Sequence, residues 1–274
     1  MATTYKTPGV YIEEIPKLPP SIAQVETAIP AFVGYTAKAE KNGESLTEKP
    51  TRISSLLEFE EYFGGEHVPA SVSVVVDDAN NFAVDSVTLA NTERFYLYDS
   101  MRLFFDNGGG DCFIVSVGNF DNAPELDGAN SSMLDGLRAL EKEDEPTILL
   151  FPDACNFSVD DPTDTDLYAL QQQALAQCAK LQDRVSVFDL HEHTIDDHDQ
   201  AVTSFRNNIG INSLKYGAAY SPWLITSYPR TVDFPMFRDN VTRLSDSGAV
   251  DLGSITSDSA LNALVTTFNS AETE

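Results

Sequence analysis

The residues with the greatest potential for chemistry lie in one short loop, His191–Asp199, whose sequence is HEHTIDDHD. Its candidate metal ligands are three imidazoles and two carboxylates, those of His191, His193, His198, Asp196 and Asp197. Both groups bind divalent metal ions, and the loop follows a predicted strand, at the end where open α/β sheets bind ligands. The spacing fits no established metal motif, however, and a loop that precedes a helix needs polar residues and a carboxylate for the helix start. We therefore favour a structural loop over a metal site.

Two further carboxylates, Asp153 and Asp189, come just after predicted strands, in the stretches FPDA and FDL. The carboxyl ends of parallel strands meet at one edge of a sheet, so this pair could hold a magnesium ion or act as acid and base. Each aspartate could instead cap a helix or accept a loop hydrogen bond. We favour this structural interpretation.

A run of three glycines, Gly108, Gly109 and Gly110, raises the question of phosphate binding. A phosphate-binding glycine loop follows a strand and opens a helix, because the helix amino terminus offers unpaired N–H groups. Here the order is reversed, since a helical pattern over residues 92–107 precedes the glycines and the strand-like stretch CFIVSVG follows them. The flanking aspartates would also repel a phosphate. We predict a structural turn at a helix end, with positive φ angles that include Gly109 and Gly110.

The elements that position these residues alternate regularly along the second half of the chain. Predicted helices over residues 133–144, 166–182 and 198–210 precede predicted strands over residues 147–154, 184–190 and 216–226. Helices that alternate with short apolar strands indicate a parallel sheet covered on both faces. The sequence therefore predicts an α/β fold, with a doubly wound, mainly parallel sheet core over residues 31–230.

Earlier in the core, residues 31–37 and 112–118 are predicted strands. A predicted helix over residues 54–65 has four apolar residues that we expect to face inward, namely Leu56, Leu57, Phe59 and Phe63. A small insertion around residues 66–92 has a weaker pattern, and we expect it to be irregular or a hairpin. Residues 231–274 form a predicted partial additional region that ends in a helix.

The amino-terminal segment, residues 1–30, is predicted to be an extended arm. Its prolines remove N–H donors and disfavour a helix. The apolar content of its short strand-like piece is small and consists chiefly of Val10, Tyr11, Ile12 and Ile15. We predict that this piece pairs with a sheet of its own chain or of a neighbouring one.

The composition limits the classes of partner. Forty-three acids against seventeen bases give a formal charge of -26, which disfavours binding to nucleic acids and anionic membranes.

No apolar run approaches the length of a membrane span, and the first residues lack the pattern of a cleaved signal peptide. Three widely spaced cysteines suit free thiols in a reducing compartment. No G-x-S-x-G motif or cysteine–histidine context supports nucleophilic catalysis.

Four blocks of the sequence carry a family resemblance. The opening stretch YKTPGVYIEEIPKLPPSIAQVETAIPAFVGYTA is followed by FFDNGGGDCFIVSVG, by ALEKEDEPTILLFPDA and by FRNNIGINSLKYGAAYSPWL. In this order, over residues 5–224, the blocks resemble contractile tail sheath proteins, the family that forms the outer sleeve of contractile phage tails, tailocins and extracellular contractile injection systems.

The resemblance implies a non-enzymatic subunit, with no metal and no cofactor, that stacks in helical rings around an inner tube. The implied partners are copies of itself, the inner tube protein, and the baseplate and tail terminator proteins, with neither nucleic acid nor a membrane among them. It further implies that terminal arms add strands to the sheets of neighbours and that contraction rearranges rigid subunits. We expect synthesis in the cytoplasm and a location in a phage tail-like particle or virion tail, released or anchored to a cell.

The sequence departs from the family pattern after the PWL stretch. Sheath proteins usually continue into a carboxy-terminal domain, and residues 232–274 do not match it, so we expect a fragment or a shortened paralogue. Two alternative functions stay open at this point. One is a metal-dependent hydrolase that uses Asp153, Asp189 and the loop His191–Asp199, and the other is an acidic module that binds a basic partner.

Overall fold

The structure is a computed structural model that describes residues 28–68, 71–89, 95–121, 123–128, 132–157, 165–190 and 198–271. Two of the sequence-based predictions lie outside these residues. One is the extended arm with Val10, Tyr11, Ile12 and Ile15, and the other is the histidine loop up to residue 197.

Short strands and helices alternate along the described chain. The strands are β1 (Pro30–Gly34), β2 (Glu40–Lys41), β3 (Glu44–Ser45), β4 (Thr51–Ile53), β5 (Val72–Asp77), β6 (Ala83–Leu89), β7 (Cys112–Ser116), β8 (Ile148–Leu150), β9 (Val185–Asp189), β10 (Gly217–Tyr220) and β11 (Val241–Arg243). The α-helices are α1 (Leu56–Phe63), α2 (Leu97–Asp106), α3 (Met133–Leu140), α4 (Asp166–Leu181), α5 (His198–Asn208), α6 (Phe234–Phe237), α7 (Leu252–Ile255) and α8 (Ser259–Ala271). Short 3₁₀ helices span Pro152–Asn156 and Leu214–Tyr216.

A six-stranded sheet forms the centre of the fold, in the order β10–β9–β8–β1–β7–β4. Neighbouring strands pair in parallel from β10 to β7, and β4 pairs antiparallel with β7 at the edge. After β1 the chain adds β4 and β7 on one side and then β8, β9 and β10 on the other, so the strand order reverses between β1 and β8. The predicted α/β class, with a mainly parallel sheet, is confirmed.

Helices cover both faces of this sheet. In β1, whose five residues are all buried, Ala31 and Val33 pack into one apolar cluster and Phe32 packs into another. This division follows from strand geometry, because successive side chains point to opposite faces. Helices α3, α4 and α5 contribute to the first cluster, and α1 and α2 contribute to the second.

Helix α1 shows how local signals and packing set one element. Ser55 caps its amino terminus, where the side chain accepts the N–H of Glu58. Phe59 and Phe63 are buried, as predicted, but the prediction for Leu57 is wrong, since 73% of its surface is exposed. Phe59 and Phe63 lie near helical spacing on one face, whereas Leu57 lies off that face.

The predicted insertion forms a hairpin that pairs with a later part of the chain. Strands β5 and β6 are antiparallel, and β11 adds in parallel to the other side of β5. Val76, Val241 and Val250 are buried together between these segments. Ser245 Oγ donates to Asp78 Oδ2 at 2.7 Å, although the two residues are 167 positions apart in the chain. The insertion is therefore part of a three-stranded sheet.

Strand β10 is shorter than predicted and ends at Tyr220 rather than near residue 226. Pro222 has no N–H to donate to a ladder. The chain instead runs past Leu190 to α2 as residues 221–230, which we call the covering segment. Within the described part of the chain, no helix has the length and apolarity needed to cross a bilayer.

Candidate functional site at the carboxyl edge of the sheet

The carboxyl ends of β1 and β8 meet where the strand order reverses, which is where folds of this class hold ligands. Here the side chain of Asp153, in the 3₁₀ helix after β8, occupies that position. Its Oδ2 accepts the N–H of Tyr35 at 2.7 Å. Its Oδ1 accepts the N–H groups of Tyr96 and Leu97 at 2.5 and 3.0 Å. One carboxylate therefore joins the ends of β1 and β8 to the first turn of α2.

The surroundings of Asp153 enclose its carboxyl group closely. Burial raises the pKa of Asp153 to about 7, and the three backbone hydrogen bonds act in the opposite direction. Gly34 leaves the necessary room, because a Cβ on Gly34 would lie 2.5 Å from Asp153 Oδ2 and 3.1 Å from the Leu97 side chain. Two of these hydrogen bonds come from the start of α2 and the third comes from the end of β1, in agreement with the structural interpretation, a helix cap or a loop hydrogen bond, that the sequence favoured for Asp153.

A cavity of about 360 Å³ lies at the same edge, between α2 and the covering segment. Its lining includes Tyr96, Asp99, Cys155, Asp189, Trp223 and Arg230. Trp223 Nε1 donates to the Leu190 carbonyl at 3.0 Å, and the Trp223 ring meets the Tyr96 ring edge-on with centroids 5.7 Å apart. The tryptophan thus fastens the covering segment across the end of β9.

Polar contacts fix the far end of the covering segment to α2. Arg230 Nη2 donates to Asp99 Oδ2 at 3.1 Å, and the Tyr228 hydroxyl donates to Asp106 Oδ2 at 2.7 Å. Partial burial raises the pKa of Asp99, and the Arg230 guanidinium opposes this rise. The Arg102 guanidinium lies 4.3 Å from the centre of the Tyr228 ring. The segment is therefore anchored at both ends.

The groups at this edge differ in their capacity for chemistry. Cys155 is buried, and its burial beside Asp153 and Asp189 raises the pKa of the thiol well above its ordinary value, which favours an inert thiol over a nucleophilic thiolate. Asp189 is exposed at the cavity, whereas Asp153 is buried against backbone donors. The two aspartates share an edge of the sheet, as predicted, but their environments do not suit a paired magnesium site.

The histidine loop is described only from His198 onward. His198 Nδ1 lies 3.0 Å from Ser221 Oγ, at the start of the covering segment. His191, His193, Asp196 and Asp197 lie outside the described residues, so their role stays a prediction. Among the residues that the structure describes, no group of three or more His, Cys, Asp or Glu side chains is placed to hold a metal ion.

The glycine run closes helix α2. Gly108 N–H donates to the Phe105 carbonyl at 3.0 Å, and Gly109 N–H donates to the Phe104 carbonyl at 2.9 Å, which are the two bonds of a Schellman turn. Gly108 has a φ of 84°. The expectation of positive φ at Gly109 and Gly110 is wrong, because one left-handed residue is enough to close this turn. A Cβ on Gly109 would instead lie 2.5 Å from the Phe104 ring, and one on Gly110 would meet open space.

Sequence reasoning missed the partners of Asp153 and the part played by Gly34. The stretch FPDA does carry a signal, since an aspartate that ends an apolar run must find donors if it is buried. Tyr35, Tyr96 and Leu97 contribute main-chain N–H groups, however, and every residue other than proline has one. No residue type could therefore mark these positions in advance.

The fold and this edge define a doubly wound α/β protein in which the Asp153 side chain lies where the strand order reverses. No protein-family model matches the chain, and a search of curated proteins finds no match. The residues and geometry of the chain itself therefore provide the grounds for a functional proposal.

Proposed function

We propose that the chain is a non-enzymatic structural subunit of the contractile sheath that surrounds the inner tube of a phage tail-like injection system. The sequence supports this proposal through the four blocks over residues 5–224 that resemble contractile tail sheath proteins. The structural observation that carries it is the Asp153 contact, which fills the ligand position of the fold with the chain's own carboxylate. This contact joins the ends of β1 and β8 to the start of α2, and a structural subunit needs such a fixed junction within its body.

Rigidity suits the motion that a sheath subunit must make. In the proposed sleeve, the α/β body moves as one unit, and the arm, residues 1–30, links it to neighbouring copies. Strand addition supplies main-chain hydrogen bonds without fixing the angle between the bodies. The sleeve can therefore shorten and widen while it stays connected, and contraction is a switch between two packings of one subunit that drives the inner tube out.

The proposed partners follow from the same role. They are further copies of the chain, the inner tube protein, and the baseplate and tail terminator proteins, with no nucleic acid and no membrane. After synthesis in the cytoplasm, the subunit would reside in a tail-like particle that is released or anchored to a cell. The formal charge of -26 disfavours association with polyanions and is compatible with this assignment.

Electron microscopy of the purified native protein tests the proposal. Helical sleeves or stacked rings are the expected result, and a uniformly monomeric protein would contradict it. A double variant, His191→Ala with His193→Ala, separates the sheath from the metal-dependent hydrolase. Sleeves that form equally well without the two imidazoles support the structural role. If the parent bound a metal stoichiometrically and the variant did not, the result would favour the hydrolase.

A further inference from the structure

The sequence contains two asparagine–glycine pairs, Asn42–Gly43 and Asn107–Gly108. Asparagine followed by glycine is among the chemically least durable pairs in a chain, because no side chain shields the glycine nitrogen from the neighbouring side-chain amide. Both pairs are exposed in this structure. The two sites therefore have the same chemistry and similar access to water, and they differ in how the fold holds them.

Asn42 and Gly43 form the two-residue loop between β2 and β3. Their φ angles are 53° and 82°, and a type I′ turn requires positive φ at both positions. Within the described part of the chain, the Asn42 side chain has no hydrogen-bond partner, and the Gly43 N–H makes no turn or loop hydrogen bond. A Cβ on Gly43 would meet nothing within 4 Å. Neither of the two groups that would react is therefore held in place by a hydrogen bond.

The hairpin that carries this loop is short. Strands β2 and β3 have two residues each, and all four residues are exposed. So short a two-stranded ribbon is marginally stable, and local opening of such a segment costs little free energy. The main chain at Asn42 can therefore reach the geometry in which the Gly43 nitrogen contacts the side-chain amide carbon.

The second pair is held by the end of α2. Asn107 Nδ2 donates to the Leu103 carbonyl at 2.7 Å, and the Gly108 N–H donates to the Phe105 carbonyl at 3.0 Å. The amide nitrogen that would leave and the main-chain nitrogen that would attack are both engaged in the turn that closes the helix. The same reaction at Asn107 must first break these two hydrogen bonds.

We propose that Asn42 is a site of spontaneous deamidation in the folded chain and that the end of α2 protects Asn107. The Gly43 main-chain nitrogen forms a bond to Asn42 Cγ and closes a succinimide ring, and the side-chain nitrogen leaves as ammonia with the proton of the Gly43 N–H. Water then opens the ring by breaking one of its C–N bonds. Attack at the side-chain carbonyl gives aspartate, and attack at the main-chain carbonyl gives isoaspartate. The net change is the uptake of water and the loss of ammonia.

The products alter the hairpin in two ways. Either product adds a negative charge to a chain whose formal charge is already -26. Isoaspartate also inserts a methylene group into the main chain of the loop, and loop length sets the register of a hairpin. The ammonium of Lys41, which lies 4.3 Å from the centre of the Tyr62 ring, would then lose its present position. This site does not depend on the proposed sheath function, since the reaction needs only water.

Peptide mapping by mass spectrometry tests the inference on the full chain, incubated in mildly alkaline buffer at physiological temperature. In the folded protein, aspartate and isoaspartate should form at position 42 about tenfold or more faster than at position 107, because the second site must first break two hydrogen bonds. In concentrated urea the two rates should become similar, since the fold no longer distinguishes the pairs.

A methyltransferase specific for isoaspartate measures the product independently. Asn42→Gln should lose most of the signal, because glutamine cannot close the same ring, and Asn107→Gln, the matched control, should keep it. Equal rates at the two sites in the folded protein, or a faster rate at Asn107, would overturn the inference. A difference that persists in urea would also overturn it, because the neighbouring residues rather than the fold would then set the rates. An undiminished signal from Asn42→Gln would place the reaction elsewhere in the chain.

Discussion

The side chain of Asp153 takes the place that a bound anion takes in many doubly wound folds. It accepts N–H groups from the end of a strand and from the first turn of a helix. Here the group that accepts these N–H groups is a side chain of the protein itself. The consequence is a fixed junction of three segments at the edge of the sheet.

Replacing Asp153 with asparagine tests this junction. The variant keeps the size of the side chain, but its NH₂ group must face at least one of the three backbone N–H donors. We expect the free energy of unfolding to fall by about 2 kcal/mol, because a buried donor loses its acceptor. Urea denaturation measures the change, and Asp85→Asn on the exposed strand β6 is the control, with an expected effect within about 0.5 kcal/mol. Equal stability of both variants would contradict the assigned role.

The pKa of Asp153 predicts the direction of a pH effect. Because the folded-state pKa of about 7 lies above the ordinary value of 3.8, the folded protein holds a proton that the unfolded chain has released. This stabilisation is complete below the unfolded-state pKa and is lost as the pH rises through about 7. Between pH 5 and pH 8 the parent should therefore lose about 2 to 3 kcal/mol of stability through this group.

Urea denaturation of the parent and of Asp153→Asn at both pH values isolates this contribution, since Asp153 is the only titratable group in which the two proteins differ. The stability difference between the two proteins should shrink from pH 5 to pH 8. A difference that grows with pH would mean that the three N–H donors outweigh burial and favour the carboxylate.

At the scale of single elements, buried strands were the most predictable part of the fold. Strands β1 and β7 have neighbouring strands on both sides in the mainly parallel sheet, so every residue in them is buried and the sequence shows a largely apolar run. Pairings between segments that are distant in the chain produce no such pattern in the sequence. Neither the antiparallel addition of β4 to β7 nor the addition of β11 to β5 has a local signal, because both depend on where the chain returns.

The candidate site was predictable to a similar extent. The position of Asp153 and Asp189 at one edge follows from the alternation of helices and strands. Their different environments do not, because burial of Asp153 depends on Gly34 and on main-chain donors from two other parts of the chain. Leu57 shows the same limit, since an apolar residue type does not tell which side of a helix will be covered.

The glycine turn after α2 gives a prediction at the element scale. Gly108→Ala should lower the free energy of unfolding by about 1 to 2 kcal/mol, because alanine is strained at a φ of 84°. Gly110→Ala is the matched control, with an ordinary φ and open space for its Cβ, and it should be nearly neutral. Thermal denaturation followed by circular dichroism compares the two. If the parent bound a phosphate compound and Gly108→Ala did not, the result would instead support a phosphate site at the glycine run.

At the scale of the whole molecule, the charge of -26 opposes the assembly that we propose. Repulsion between acidic surfaces acts over roughly 8 Å at physiological ionic strength. A linking arm avoids part of this cost, because main-chain hydrogen bonds hold two copies together without bringing their acidic surfaces into contact.

The arm therefore carries a prediction of its own. If Val10 and Ile12 lie on one face of an added strand, changing both to aspartate buries charges at each joint, at a cost on the order of several kcal/mol. For the complete sheath that carries this sequence, we expect an unchanged melting temperature of the subunit but absent or fragmented sleeves in electron micrographs. Thr3→Asp with Thr4→Asp adds the same charge outside the strand-like piece and should leave sleeves intact. Contraction-competent sleeves from the Val10 and Ile12 variant would mean that another part of the chain links the subunits.

The pairing of β11 with β5 also sets an order of events during synthesis. Asp78, next to β5, and Ser245, next to β11, are 167 positions apart, so at about 5 to 20 residues per second the ribosome needs roughly 8 to 30 seconds to deliver the third strand. During this interval the β5–β6 hairpin has emerged, but Val76 has no Val241 to pack against. The strands of the six-stranded sheet are all complete before β11 exists. The three-stranded sheet is consequently the last layer to close, and a pause in translation before residue 241 would lengthen its exposure.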